Sequence, residues 1–155
     1  MARPSILGTE GPEEVVEMLV TEGVFRALRV QPSLGRGFTF DDTQTRSPFT
    51  VILSHRYWVE RFDADPEVLG QTLTVSGAPR EIIGVMPEDF RFMDRDPVFY
   101  RPLRYNKSSL NVSNFSFNSV ARLADGISAA EAIPELERLL PLAFERYPGA
   151  MTLEM

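Results

Sequence analysis

The order of apolar patterns along the chain predicts an α/β domain of the α+β kind. Phe49–Leu53 is rich in β-branched and apolar residues, which is typical of a strand covered on both faces, and Ser54 follows it as a candidate helix N-cap. The alternating runs Gln71–Val75 and Arg80–Val85 flank a turn and predict an antiparallel hairpin. Strands and helices are therefore both expected, and the hairpin is the clearest local element.

Composition excludes several classes of function. The 155 residues carry a net charge of -6, from 16 Lys and Arg against 22 Asp and Glu, so a nucleic-acid partner is not expected. The absence of cysteine excludes a disulfide framework, a thiolate metal site and a cysteine nucleophile. No run approaches the roughly 18 apolar residues of a membrane span, so the chain as given is expected to be soluble.

The segments before the central strand carry weaker signals. Residues 1–12 are interpreted as a flexible lead-in, and Val16–Val20 favours a strand, although a helix is an alternative there. Gly23–Leu28 predicts a short helix. From Gln31 to Pro48 the chain is rich in turn-forming and polar residues, so we expect a long surface loop.

Aromatic residues dominate the segments after the central strand. Residues 55–62 predict a helix, and we expect its aromatic face, Tyr57, Trp58 and Phe62, to be buried. Asp63–Pro66 ends that helix, because the residue before a proline disfavours helical dihedral angles. Pro97–Leu103 predicts a short strand bounded by prolines, and an edge position fits such a strand best.

The C-terminal part predicts one more strand and a long helix. Phe115–Leu123 keeps its apolar side chains in one register, as a strand does. Ser128 is followed three residues later by a glutamate, the spacing of a capping box, and the helix it opens should run to Tyr147. Pro134 and Pro141 fall inside that span, so we expect a kink or a helix that effectively starts near Pro134.

The residues that could carry catalysis give no constellation. His55 is the single histidine, and the adjacent Ser54 is poorly placed to be its nucleophilic partner, so a surface or capping role is favoured. Gly35-Arg36-Gly37 lacks the third glycine of a dinucleotide fingerprint, and no Walker lysine motif is present. We therefore expect no catalytic residue and no cofactor.

Acidic pairs give no calcium loop either, since none has graded ligand spacing with a terminal glutamate. No metal is therefore expected. The pairs, which are interpreted as solvated turns and caps, are Asp41/Asp42, Asp63/Asp65 and Asp94/Asp96.

Arginines lie among aromatic residues between residues 90 and 104. The aromatic side chains, Phe90 among them, could form a ligand-facing wall, although side chains of this kind usually fill a core. The arginines could complement an acidic partner surface. The candidate partner or ligand surface consists of six residues: Arg91, Phe92, Phe99, Tyr100, Arg101 and Arg104. Sequons at Asn106, Asn111 and Asn114 follow and are interpreted as a polar loop.

An ordered series of segments resembles a known family. It consists of Gly23–Phe38, Val51–Ser54, Trp58–Phe62, Asp65–Gly70 and Ile82–Pro87. Together these resemble the periplasmic core domain of MacB-like ABC transporter permeases, the group related to FtsX and the lipoprotein-releasing permeases. The resemblance covers residues 13–149, with residues 150–155 as a tail.

This resemblance implies an extracytoplasmic domain of a permease in a bacterial cell membrane, with a mixed-sheet porter-like lobe and a smaller companion lobe. It further implies a fragment that is incomplete at its C-terminal end and is not an enzyme, because a cytoplasmic subunit hydrolyses the ATP. The expected partners are the rest of the permease, its ATP-binding subunit and an envelope adaptor protein. The alternative is a module that binds an apolar compound for export, next to Phe99 and Tyr100.

Overall fold

The computed structural model describes residues 4–7, 12–104 and 117–146. The chain divides into two compact units, Met1–Tyr105 and Asn106–Met155. The sequons and the expected tail at residues 150–155 lie outside the described residues. None of the helices in the described ranges has the length and apolar content needed to cross a membrane.

The described residues of the first unit form strands and two helices, and the second unit contains a longer helix. The strands are β1 (Ser5–Leu7), β2 (Pro12–Glu14), β3 (Glu17–Val20), β4 (Leu34–Gly35), β5 (Thr50–Leu53), β6 (Thr72–Val75), β7 (Ala78–Val85) and β8 (Phe99–Pro102). The helices are α1 (Val24–Ala27), α2 (His55–Phe62) and α3 (Ala129–Arg146), with 3-10 turns at Asp41–Thr43 and Pro66–Val68.

The strands form one mixed sheet in the order β2-β1-β6-β7-β5-β8-β3, and β4 pairs with β7 beside this path. β5 runs parallel to β7 and antiparallel to β8, while β3 runs parallel to β8. The remaining pairs are antiparallel. This arrangement confirms the mixed α/β class.

The predicted hairpin is β6 and β7, joined by Ser76 and Gly77. Both turn residues have positive φ, 49° and 78°, which is the backbone geometry of a type I′ turn. Val75 pairs with Ala78 next to the turn, so the return strand begins earlier than the sequence pattern indicated. The tight turn fixes the register that places Leu73 opposite Arg80.

Apolar clusters cover both faces of the sheet. Val51 and Leu53 of β5 point into the first cluster, with Tyr57 of α2, whereas Ile52 points into the second cluster, with Phe25 of α1. The three β5 residues are fully buried, which confirms the prediction of a strand covered on both faces.

The predicted edge position of the strand near residue 100 is wrong. β8 lies between β5 and β3, and both Phe99 and Tyr100 are buried. Pro97 precedes the strand and Pro102 ends it, so neither proline removes a hydrogen bond from the middle of the ladder. Prolines at the two ends of a strand therefore do not indicate an edge.

The stretch from Gln31 to Pro48 is also more ordered than the sequence indicated. β4 pairs with β7, and Phe38 is buried in the second cluster. Gly35 and Gly84 are paired across the two strands, and a Cβ atom on Gly35 would lie 2.2 Å from the carbonyl oxygen of Ile83. Glycine in this loop therefore serves close backbone packing.

Asp42, expected to lie in a solvated turn, is buried and joins this loop to the sheet. Its carboxylate accepts hydrogen bonds from Arg36 at 2.7 Å, from the Thr39 backbone at 2.7 Å and from the Thr50 hydroxyl at 3.2 Å. Burial opposes ionisation, but the hydrogen bonds from Arg36 and Thr39 outweigh it and lower the pKa of Asp42 to about 2. The neighbouring Asp41 is exposed.

Helix α2 begins and ends as the sequence predicts. The Ser54 side chain accepts a hydrogen bond from the Tyr57 backbone at 3.3 Å, and Asp63 ends the helix with a left-handed φ of 51°. The aromatic face is only partly buried, because Tyr57 lies in the core while Trp58 and Phe62 pack against its margin. The indole N–H of Trp58 donates to the Asp65 carbonyl at 2.8 Å.

The two ends of the chain depart from the expectations in part. Ser5–Leu7 forms β1, so this portion of the expected lead-in belongs to the sheet. In the second unit, residues 117–124 pair with no strand among the described residues, and the strand predicted there is absent from them. The rest of that predicted strand, Phe115 and Ser116, lies outside the described residues.

Helix α3 has the predicted capping box. The Ser128 hydroxyl donates to the Glu131 carboxylate at 2.7 Å, and the Glu131 backbone donates back to the Ser128 hydroxyl at 3.3 Å. The helix starts at Ala129 and continues across Pro134 and Pro141, so the predicted start near Pro134 is wrong. The capping box stabilises the first turn, so the helix can begin before Pro134.

Candidate functional site

The six candidate residues do not share one surface, because β8 sends successive side chains to opposite faces of the sheet. Phe99 is fully buried in the first cluster, and Tyr100 lies in the second. Arg101 returns to the side of Phe99. Arg91 and Tyr100 line one cleft, and Arg101 and Arg104 line a second. Phe92 lines neither cleft and packs against the second cluster.

The first cleft, which we call the Tyr100 cleft, has a volume of about 410 Å³. Its apolar wall is formed by Met86, Phe90, Tyr100 and Val59. The rings of Phe90 and Tyr100 are 5.8 Å apart, and burial raises the pKa of Tyr100 to about 12. Tyr100 therefore stays neutral at any physiological pH.

Charged side chains line the rest of the Tyr100 cleft. Arg56 forms ion pairs with Glu60 at 3.2 Å and Asp96 at 3.0 Å. Arg91 donates to the backbone carbonyls of Glu88 at 2.8 Å and Phe90 at 2.9 Å. Arg95 makes no side-chain hydrogen bond or ion pair with the described residues, so its charge is available to a partner.

His55 also lies at the Tyr100 cleft. Its ring makes an edge contact with Trp58, with 5.4 Å between the centroids. The adjacent Ser54 hydroxyl caps α2 and lines the same cleft. This arrangement fits the capping and surface roles that the sequence favoured for the pair.

The second cleft, the Arg80 pocket, has a volume of about 240 Å³. Arg80, Arg101 and Arg104 line it, together with the exposed apolar residues Leu19 and Phe49. The guanidinium carbons of Arg80 and Arg104 lie 4.8 and 4.6 Å from the centre of the Phe49 ring. These are cation–π distances.

The three arginines of the Arg80 pocket differ in how they are held. Arg101 forms a bidentate ion pair with Glu17. Arg104 donates to the backbone carbonyls of Asp42 at 3.0 Å, Ser47 at 3.0 Å and Pro48. For Arg80 the structure shows no hydrogen-bond acceptor among the described residues, and its Nε is buried without a partner.

Sequence reasoning missed Arg80, Leu19 and Phe49. Arg80 belongs to the hairpin, yet it reaches Phe49 because β7 pairs in parallel with β5 and the Glu81 backbone bonds to the Phe49 carbonyl. Leu19 meets Arg101 through the parallel pairing of β3 with β8. Only the pairing of distant strands reveals this cluster, and no local pattern signals it.

The described residues contain no cluster of three or more histidine or acidic side chains that could hold a metal ion. Both clefts instead combine arginines with apolar or aromatic side chains. Such surfaces suit acidic or amphipathic partners.

Comparison with protein families matches residues 2–139 to the MacB-like periplasmic core domain. The match spans most of the 155 residues, and the chain belongs to this family of ABC transporter permease domains. The domain accordingly lies on the extracytoplasmic side of a bacterial membrane. Both the family resemblance and the fold class predicted from the sequence are confirmed.

Solved structures that are similar to this chain include the following two. The periplasmic region of MacB from Actinobacillus actinomycetemcomitans matches with a TM-score of 0.59 and 18% identity, over 92% of this chain and 63% of that one. The extracellular domain of the noncanonic ABC-type transporter YknZ from Gram-positive bacteria gives a TM-score of 0.47 and 20% identity, over 65% and 50%. No curated protein sequence matches the chain. The chain thus spans less than two thirds of the MacB periplasmic region whose fold it shares.

Proposed function

We propose that this domain couples ATP hydrolysis in the cytoplasm to substrate export, or to action on an envelope partner, by a movement in which its first unit, Met1–Tyr105, shifts as a rigid body. The observation that carries the proposal is the single mixed sheet with an apolar cluster on each face. Densely packed interiors are poorly compressible and shift as units, so a small displacement at the membrane would appear undiminished outside. In this proposal the domain itself catalyses no reaction.

The proposed partners are the rest of the permease, its ATP-binding subunit and an envelope adaptor protein. The Tyr100 cleft is the proposed adaptor contact, with Arg91 and Arg95 at its margin. Both arginines are exposed, and among the described residues Arg91 donates to nearby backbone carbonyls only. An acidic adaptor surface would find two accessible guanidinium groups on a rigid support.

The test replaces Arg91 and Arg95 with glutamate in the full-length permease and measures ATP turnover and export or resistance. We expect ATP turnover to persist while export falls, because the charge reversal repels the adaptor but leaves the core intact. Arg29→Glu, another exposed arginine, is the matched control and should leave both activities unchanged. Full export by the double variant would remove the Tyr100 cleft from the coupling surface.

The volume of the Tyr100 cleft favours a second candidate function, the binding of a small apolar compound for export. A volume of about 410 Å³ lies within the range of small-molecule sites, and the partly exposed Phe90 offers an aromatic contact. The exposed Val59 also lines the cleft, so Val59→Asp would place a charge in an apolar site without disturbing the packing of the core. Saturable binding of the neutral dye N-phenyl-1-naphthylamine that Val59→Asp abolishes would support this function, and no binding would exclude it.

A further inference from the structure

The Arg80 pocket carries more positive charge than its surroundings neutralise. The charged groups that act on Arg80 are Arg101, Arg104 and the single carboxylate of Glu17. That carboxylate is engaged with Arg101, and Arg104 is held by backbone carbonyls. Arg80 and Arg104 therefore form no ion pair with the described residues, and the one carboxylate that acts on Arg104, Asp42, is itself paired with Arg36.

Arg80 has hydrogen-bonding capacity that the described residues leave unused. A guanidinium group has five N–H donors in a planar fork that matches carboxylate and phosphate oxygens. The Nε of Arg80 is buried and no described residue accepts from it. Burial and the charge of Arg101 lower the pKa of Arg80, which is the response expected of a cation in a positive, partly desolvated site.

Apolar side chains adjoin this positive charge. Leu19 is 47% exposed and Phe49 is 45% exposed, and both line the pocket. The Phe49 ring lies beside the guanidinium groups of Arg80 and Arg104, which orients them without using their N–H donors. A ligand that joined an anionic group to an apolar body could contact both parts of the pocket.

We propose that the Arg80 pocket binds a small amphipathic anion, a carboxylate or phosphate group attached to an apolar body. The anionic oxygens accept hydrogen bonds from Arg80, and the apolar part covers Leu19 and Phe49. This site is separate from the Tyr100 cleft and does not depend on the proposed coupling role. Either proposal can fail while the other holds.

Binding is measured on the 155-residue chain by NMR titration with phenyl phosphate, following the Nε–Hε signal of Arg80. We expect that signal to shift and saturate, and we expect weaker binding of inorganic phosphate and none of benzyl alcohol. Arg80→Gln should weaken phenyl phosphate binding about tenfold or more, the usual effect of losing charge-assisted hydrogen bonds. Arg29→Gln removes the same charge at an exposed position outside both clefts and should bind as the parent does.

A second variant tests the pocket independently, in case Arg80→Gln fails to fold. Leu19→Asp places a carboxylate at an exposed position in the pocket and should also abolish binding while its melting temperature stays near that of the parent. Sedimentation with phosphatidylglycerol vesicles distinguishes a lipid headgroup from a free ligand. If the parent cosediments with the vesicles and Arg80→Gln does not, the anion is a lipid headgroup. If the parent binds phenyl phosphate but does not cosediment, the anion is a free ligand. Equal phenyl phosphate affinity in the parent and Arg80→Gln, or no binding at all, overturns the proposal.

Discussion

Gly35 and Gly84 pair across β4 and β7 at a distance that leaves no room for a side chain on either residue. A Cβ atom on Gly84 would lie 2.7 Å from the Arg36 carbonyl oxygen, closer than real Cβ contacts. Gly35 also has a φ of 75°, which disfavours any L side chain. The loop that carries Asp42 is thus fastened to the sheet by a contact that only glycine permits.

Replacing Gly35 with alanine should destabilise the domain strongly. The new methyl group would meet the Ile83 carbonyl oxygen, and the positive φ adds strain, so we expect a loss of about 3 kcal/mol in unfolding free energy. Gly37→Ala is the matched control, because its Cβ would meet nothing within 4 Å. Urea unfolding of both variants checks the difference, and equal stabilities would contradict the packing assigned to Gly35.

Stability should fall in acid partly because of Asp42. Its pKa is about 2 in the folded chain and 3.8 ordinarily, so the unfolded state takes up the proton first as pH falls. The stabilisation, about 2 kcal/mol, is fully present above about pH 5 and is lost as pH falls towards 2. Urea unfolding of the parent and Asp42→Asn between pH 2 and 6 measures it: the variant should be less stable at pH 6, and this difference should shrink in acid. A constant difference would show that the Asp42 charge is not involved.

The aromatic residues of α2 should differ in their contribution to stability. Tyr57 is buried in the first cluster, so Tyr57→Ala should cost about 3 to 4 kcal/mol. Trp58 packs only at the margin, and Trp58→Ala should cost about 2 kcal/mol, including its hydrogen bond to Asp65. Thermal melts give the ranking, and a larger loss for Trp58→Ala would place the centre of this packing at Trp58 instead.

Charge reversal at Arg101 should impair folding, because Arg101 is paired with a carboxylate. Arg101 and Glu17 form a half-buried pair, so Arg101→Glu leaves two carboxylates facing each other and should cost about 2 kcal/mol. Adding Glu17→Arg restores opposite charges and should recover part of that loss. A double-mutant cycle by urea unfolding measures the coupling, and no recovery would deny that the pair contributes to stability.

Local signals in the sequence predict much of the fold. The hairpin of β6 and β7, the Ser54 cap of α2 and the Ser128 capping box of α3 each depend on residues a few positions apart. All three form, although the hairpin turn is shorter than predicted. Two of the wrong predictions, the edge position of β8 and the solvated Asp42, depend on residues distant in the sequence. The spacing of the prolines carries no information about the pairing of β3 with β8. Asp42 is buried because its carboxylate accepts hydrogen bonds from Arg36 and Thr50.

The candidate site was predictable in residue type but not in arrangement. Arg101 and Arg104 do line a cleft, yet Arg80 and Phe49, which complete it, come from two other strands or their ends. Phe99 was grouped with Tyr100 because both are aromatic, whereas strand alternation sends them to opposite faces of the sheet.

Distance measurements by pulsed electron paramagnetic resonance show whether the first unit, Met1–Tyr105, moves as a rigid body. The 155 residues contain no cysteine, so Arg26→Cys and Glu60→Cys, on α1 and α2, supply the labelling sites within them. Cysteines elsewhere in the full-length permease and its ATP-binding subunit are replaced before spin labelling. A further label at the extracytoplasmic end of a membrane helix should change its distance to Glu60 between the ATP-bound and ADP-bound states. The distance between the Arg26 and Glu60 labels should stay the same. A nucleotide-independent distance to the membrane label, or a nucleotide-dependent distance between Arg26 and Glu60, would contradict coupling by a rigid body.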